Sequence, residues 1–387
     1  MSLSFIKYFF SYIFNSKTRQ KLIFLSVIGL VISAFSLTVI QGIMGGLQNG
    51  LVNRSKNVLG HSVIDIKTTD QSKINDLKKD LSDNHINFVP ELEIELLLQN
   101  TNYIKPVIIH GMDFKTYTPE FLANKNTSNL VLGGDLARDI KSYYGSKLKL
   151  TSPSHFSFIF TEIPRQGSIV VSDFYTSELP EIDSFSAWVR LSFIQNLIRQ
   201  KKINKIRIFT PNSDKLFAIV KSFKENEFRF RTWEDENSTL VWALNLETRV
   251  MMFLFAGMSF LIGICIISGF LIFYNKVKID LASFWLLGLS TKHMYRLIYI
   301  FGQLISLIFC LLGVGVGLAF LWLLKSNNFI LMPDLFVERN IPVKIEYISL
   351  LISFFIPYLF ATVFTHITFK LFRDENGSFL NLIKKDG

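Results

Sequence analysis

Charge is scarce in this chain and cysteine nearly absent. Of 387 residues, 19% are charged and 49% hydrophobic, and mean hydropathy is +0.33. A water-facing surface is roughly 25–35% charged, so part of the chain faces something else. The two cysteines, Cys265 and Cys310, lie in apolar runs where a free thiol behaves as a small hydrophobe, and a disulfide framework is excluded. No Gly-Lys dipeptide occurs, so no Walker A lysine is available to reach nucleotide phosphates. If ATP drives this chain, another polypeptide binds it. There is no G-x-S-x-G elbow and no H-E-x-x-H. The six histidines (His61, His85, His110, His155, His293 and His366) include no pair three or four residues apart. Hydrolase and zinc chemistry are therefore not expected, nor any bound metal.

What the chain has instead is four charge-free runs, at residues 22–53, 250–275, 297–324 and 347–369. A helix crosses the hydrocarbon core with about 20 apolar residues, so each run reads as a span. The first is too long for a cleaved signal peptide and no A-x-A site follows it. Lys7, Lys17, Arg19 and Lys21 precede the first run without an acid. Lys276, Lys278, Lys292 and Arg296 stand against Asp280 between the second and third; Lys370, Arg373, Lys384 and Lys385 stand against three acids in the tail. The net charge of +10 is thus mostly a topology signal and not a nucleic-acid footprint, and it places both termini in the cytoplasm.

The expected fold is a membrane protein with four transmembrane helices and a large α+β periplasmic domain between the first two. The expected boundaries are a cytoplasmic segment at 1–21, helices at 22–44, 250–275, 297–324 and 347–369, and a periplasmic domain at 45–247. A cytoplasmic segment at 276–296, a short periplasmic loop at 325–346 and a cytoplasmic tail at 370–387 complete it. In the outer domain, alternating or β-rich runs predict strands at 62–66, 94–98, 103–110, 147–150, 167–171, 205–209 and 228–233. Helical spacing appears at 71–81, 135–143, 191–200 and 214–223. Strand–helix–strand order around 205–233 makes one split βαβ unit, and 62–98 another. Gly60-His61-Ser62 reads as a turn before a strand. Gln41, Gln303 and His366 within the spans read as bridges between helices. The glycines of Gly313-Val314-Gly315-Val316-Gly317 would let another backbone approach closely.

Three segments together resemble a known family. Residues 39–51 (VIQGIMGGLQNGL) followed by 58–63 (VLGHSV) are similar to the exit of the first span in LolC/LolE-type membrane subunits of lipoprotein-releasing ABC transporters. Trp233, then Glu247, Met251 and a charge-free run, resembles that family's approach to its second helix. Residues 278–290 (KIDLASFWLLGLS) look like the cytoplasmic coupling segment of the wider FtsX/MacB permease group, with Asp280 where Glu is usual and Trp285-Leu286-Leu287 more apolar than the pattern. A fourth segment, 152–166 (SPSHFSFIFTEIPRQ), resembles the apolar hook with which LolC-type subunits recruit a soluble carrier.

The resemblance implies a permease, not itself an enzyme, in the bacterial inner membrane. It implies a LolD-like ATPase that binds the ATP, and a LolE-like second subunit or a second copy of this chain. A LolA-like periplasmic carrier and a lipoprotein substrate complete the partners; this chain would bind no cofactor itself. Alternatives within the same architecture are an FtsX-like regulator of cell-wall hydrolysis and a MacB-like exporter. The hook would comprise Pro153, Phe156, Phe158, Ile159, Phe160, Ile163 and Pro164, the prolines delimiting the hairpin and keeping its ends from pairing onward. Lys149 and Gln166 would form a second carrier-contact patch. A buried-face hairpin is the alternative. Asp280, Leu281, Phe284 and Trp285 would seat a short amphipathic helix on the ATPase, ended by Gly288, or lay that helix on lipid headgroups. Ile40, Ile43 and Met44 with Met251, Phe255 and Met258 would line the lipoprotein path, unless they only face lipid or pack.

Overall fold

The computed structural model describes residues 21–157, 163–211, 214–223, 227–286, 288–326 and 342–375. It divides into one unit made of Met1–Asn49 and Leu244–Gly387 and another made of Gly50–Ala243. The first described element is α1 (Lys21–Leu59), 39 residues without a break. Gly60, at φ +78°, occupies the left-handed C′ position that ends many helices, where a side chain would be strained. The turn expected at 60–62 is there, and β1 (Ser62–Ile66) follows it.

In order, the second unit continues with α2 (Gln71–Asp83), β2 (Phe88–Asn100), β3 (Tyr103–Met112), α3 (Glu120–Ala123) and β4 (Leu130–Gly133). Then come α4 (Gly134–Asp139), β5 (Lys147–Ser157), β6 (Ile163–Tyr175), α5 (Pro180–Asp183), β7 (Ser186–Arg190) and α6 (Leu191–Ile198). It closes with β8 (Lys205–Ile208), α7 (Asp214–Ser222), β9 (Phe228–Thr232) and α8 (Trp233–Glu236). The start of β2 pairs with β8, β8 with β1, and β1 with β9, all antiparallel. β1-α2-β2 and β8-α7-β9 are therefore the two split βαβ units, interleaved as in a ferredoxin-like arrangement. Ile74, Leu77 and Leu81 of α2 and Leu216 of α7 close over Ile64, Ile206 and Ile208.

Beyond Glu91, β2 enters a second arrangement. It pairs with β3, β3 with β7, β7 with β4, β4 with β6, β6 with β5, and β5 returns to β2 at Leu97↔Thr151 through Gln99↔Lys149. Six strands thus close on themselves, which removes exposed edges. Alternate side chains fill the interior, among them Leu96, Leu98, Leu148, Leu150, Ile169 and Val171. Strands β4 and β7 were not among the sequence expectations. Helix α4 stops at Asp139, short of the predicted 143, because Lys141 turns to φ +50° and Ser142 N donates to Ala137 O.

The other unit holds the spanning helices: α1, α9 (Ser238–Leu286), α10 (Thr291–Ser326) and α11 (Tyr347–Glu375). All four are long and apolar enough to cross a membrane. The glycines of α10 are placed for close packing on α1. A Cβ at Gly313 would lie 2.5 Å from Val31 O, and one at Gly317 2.9 Å from Thr38 Cβ. Ser33 Oγ and Ser259 Oγ join α1 to α9 at 3.1 Å. Ser353 donates to Gln41 (3.3 Å) and Gln303 to Thr362 O (3.4 Å), so both glutamines bridge helices. His366 meets the Tyr299 ring edge-on across α10 and α11.

Candidate functional sites

The β5–β6 hairpin extends from the closed barrel. Its strands pair regularly from Lys147↔Val170 to Ser152↔Arg165, break register, and pair again at Phe156↔Pro164 and Ser157↔Ile163. The expectation that Pro153 and Pro164 stop the pairing is wrong. Pro153 falls in the bulge between Ser152 and Phe156, where no ladder bond is asked of its nitrogen. Pro164 still pairs because a proline carbonyl can accept. Ser152 Oγ and His155 Nδ1, 2.9 Å apart, brace the bulge, and the Arg165 guanidinium donates to Ile198 O. Phe156 is half-buried on the described part of the strand; Phe158, Ile159 and Phe160 lie outside the described residues, as does the side chain of Ile163. Lys149 and Gln166 are exposed on one outward face, on the diagonal between the paired rows Lys149↔Ser168 and Thr151↔Gln166.

A second constellation, unforeseen in the sequence, lies where α1 ends. Glu91 is fully buried, its Oε2 accepting from Arg207 Nε at 2.6 Å. His110 Nδ1 is 2.5 Å from Glu91 Oε1; an ionised carboxylate only accepts, so the ring nitrogen is the donor. Arg207 also donates to Glu93 (3.1 Å) and to the Leu59 carbonyl (2.5 Å), the last of α1. Lys205 binds Glu93 at 2.8 Å, and Arg231 reaches Glu236 of α8 at 3.1 Å. Burial pushes the Glu91 carboxyl up, but Arg207 and His110 outweigh it and hold the group well below the usual range. Glu91, Glu93 and His110 present ligand atoms within 4.8 Å of one another. Arg207 already supplies those carboxylates with a cation, so the cluster reads as an ion network and not a metal centre.

The same corner fastens the end of α1 to α8. Trp233 N donates to His61 O (3.0 Å), and the Trp233 indole N–H to Ser55 Oγ (2.9 Å). Lys56 pairs with Glu234 at 2.6 Å and lies over the Trp233 ring. Thr232 caps α8 in a reciprocal capping box with Asp235.

No separate coupling helix exists in the described residues: α9 continues unbroken from Ser238 to Leu286. The segment carries good helix formers and no breaker before Gly288, so the helix need not restart after the span. Gly288 at φ +96°, its N–H bonded to Trp285 O, does end the turn. Trp285 is half-buried against the unit's own core cluster, so it is not a free seat for a partner. The side chains of Asp280, Leu281 and Phe284 lie outside the described residues. Among the path candidates, Ile40 is exposed, Ile43, Met44 and Met251 are half-buried, and Met258 is 50% exposed. Phe255 is only 7% exposed. It shares its buried stripe with Ser259, the residue bonded to Ser33 of α1, so these three α9 side chains do not form one free face.

Residues 252–376 match the family of FtsX-like permease C-terminal domains. Over most of its length the chain is similar to proteins named lipoprotein-releasing system transmembrane protein LolC. That of Buchnera aphidicola is 24% identical over 368 residues, covering 90% of this chain and 87% of that protein. That of Xylella fastidiosa is 22% identical over 352 residues, covering 83% and 84%. That of Neisseria meningitidis is 21% identical over 318 residues, covering 77% and 76%. The chain is similar to LolC-type permeases. Among solved structures, the extracellular domain of the noncanonic ABC-type transporter YknZ from Gram-positive bacteria covers 44% of this chain and 98% of its own at 7% identity and a TM-score of 0.28.

In this chain the sequence signals thus divide. Gly288 was legible as a helix stop, and the β5–β6 segment was singled out by its resemblance, although its prolines do not end the pairing. The Glu91–His110–Arg207 network was not, since its members lie on three strands separated by up to 116 positions.

Proposed function

We propose that this permease extracts lipoproteins from the bacterial inner membrane and passes them to a soluble periplasmic carrier. The relatives named LolC, matched over most of the chain, carry the reading. The β5–β6 segment supports it, because its sequence Phe156-Ser157-Phe158-Ile159-Phe160 gives a partner large apolar groups to bury. In this reading both termini are cytoplasmic, and a separate LolD-like ATPase binds ATP and seats against the α9 end near Phe284. A LolE-like subunit, or a second copy of this chain, completes the translocation path beside Ile40, Met44, Met251 and Met258.

The test is Phe160→Asp in the full chain with a LolA-type carrier. Carrier binding should vanish while insertion and ATPase association persist; parental affinity would remove the hairpin from the mechanism. Topology is checked separately by cysteine labelling from the periplasmic side. Ser184→Cys should react and Ser290→Cys should not, and the reverse pattern would refute the orientation.

A further inference from the structure

We infer that residues 342–346, which lead into α11, position α1 for the lipoprotein path: they grip one face of α1 by backbone contact and so fix where its opposite, apolar face stands. This rests on the transport reading above. Residues 39–51 place Gly42, Gly45, Gly46 and Gly50 inside a helix, although glycine is the poorest helix former after proline. Three of the four meet a neighbour. A methyl group on Gly46 would overlap the Pro342 carbonyl and stand 2.9 Å from Val343 N. One on Gly45 would touch the Lys344 carbonyl oxygen at 3.8 Å, and one on Gly42 would lie 2.5 Å from Leu321 Cδ1 of α10. Gly50 has open space around it. Lys344 N donates to Gly42 O at 3.0 Å, using an acceptor site that the helix ladder leaves over. Lys344 Nζ then reaches Asn49 Oδ1 at 3.1 Å and Glu346 at 2.7 Å. The step from Gly46 to Gly42 covers about 6 Å of helix, and two extended residues, Pro342 to Lys344, cover about 6.6 Å. The segment therefore runs along α1 and not across it.

The gripped face is the back of the path. At about 100° per residue, Gly42, Gly46 and Asn49 fall on one side of α1, and Ile40, Met44 and Leu47 fall about 160° round from them. On that second side Ile40 is 37% and Leu47 36% exposed, and Met44 is half-buried. Glycine serves here for close approach of one backbone to another. Side chains repack around a displaced neighbour. A carbonyl against Gly46 and an N–H on Gly42 O cannot, because neither atom has a rotamer by which to yield. A helix is stiff across its own width of about 10 Å, so a shift imposed on the glycine face reappears on the apolar face.

The test compares Gly46→Ala with Gly50→Ala in the full permease, reconstituted in proteoliposomes with its ATPase, the second membrane subunit, purified LolA-type carrier and an acylated lipoprotein. Both alanines favour the helix equally, but only the first meets the segment. Gly46→Ala should raise KM for the lipoprotein about tenfold, as a sub-ångström misplacement does, and leave ATP hydrolysis without lipoprotein at the parental rate. A photo-crosslinking amino acid at Leu47 should lose most of its lipoprotein capture in that background. Gly50→Ala should behave as the parent. Lys344→Ala loses only the exposed contacts to Asn49 and Glu346 and should raise KM about threefold; it decides the matter if Gly46→Ala does not accumulate. A lower melting temperature with parental KM would make the contact structural only and overturn the proposal, as would an equal rise of KM in Gly50→Ala. A parent that releases no lipoprotein would instead refute the transport reading.

Discussion

A guanidinium without access to water is tolerated only where its donors find acceptors. Arg207 meets Glu91, Glu93 and the Leu59 carbonyl, so one side chain joins β8 to its neighbour β2 and to a helix end. Arg207→Met would leave Glu91 buried without its counter-charge and should destabilise the outer unit by about 3–5 kcal/mol, read as a lower urea midpoint for tryptophan fluorescence in the intact protein. Linkage adds a pH signature. The folded-state pKa of Glu91 is depressed from the ordinary 4.5, so its contribution is whole above that value and is lost as pH falls toward the folded one. Glu91→Gln should remove that part of the acid slope; an unaltered slope would show that other carboxylates carry it. None of this was legible in Lys205-Ile206-Arg207-Ile208, because period-2 alternation assigns Arg207 to a solvated face. That face is instead covered by β2 and by the end of α1. Gly60 was legible, since few residues accept its backbone conformation.

Elements read well where local chemistry decides them and poorly where distant segments do. The four spans and the two βαβ units follow from apolar length, alternation and turn residues. The short strands β4 (LVLG) and β7 (SAWVR) lack alternation over their few residues, and parallel partners far along the chain hold them in place: β6 for β4 and β3 for β7. The Gly313–Gly317 pair shows the opposite case, in which glycine spacing already implied a close neighbour and the structure supplies α1. Gly313→Leu would drive a side chain into Val31 and Ala34, with backbone as well as Cβ in the way. Overpacking of this kind costs typically 1–3 kcal/mol. The variant should therefore melt earlier in detergent, while Gly315→Leu, with open space around it, should not. Equal melting of both would mean that α1 and α10 do not pack through this stripe.

At the scale of the whole molecule, length is the informative quantity. At 1.5 Å per residue the 39 residues of α1 and 49 of α9 measure about 58 and 73 Å, against a hydrocarbon core of about 30 Å. Neither helix breaks before Leu59 or after Ser238, and Ser55, Lys56, His61, Trp233 and Glu234 tie the end of α1 to α8, the short helix that precedes α9. Within the spanning unit, Gln48 of α1 bonds Glu247 and Thr248 of α9. Unbroken helices cross-braced in this way transmit displacement instead of absorbing it. We propose that lipoprotein release depends on the continuity of α1. Replacing Leu51, Val52 and Asn53 together by glycine tests this, because each glycine costs the helix up to about 1 kcal/mol and adds a soft point while leaving the brace residues in place. In proteoliposomes with the partner ATPase, ATP hydrolysis should persist while lipoprotein release falls away. Release at the parental rate would show that the continuity of α1 is not required.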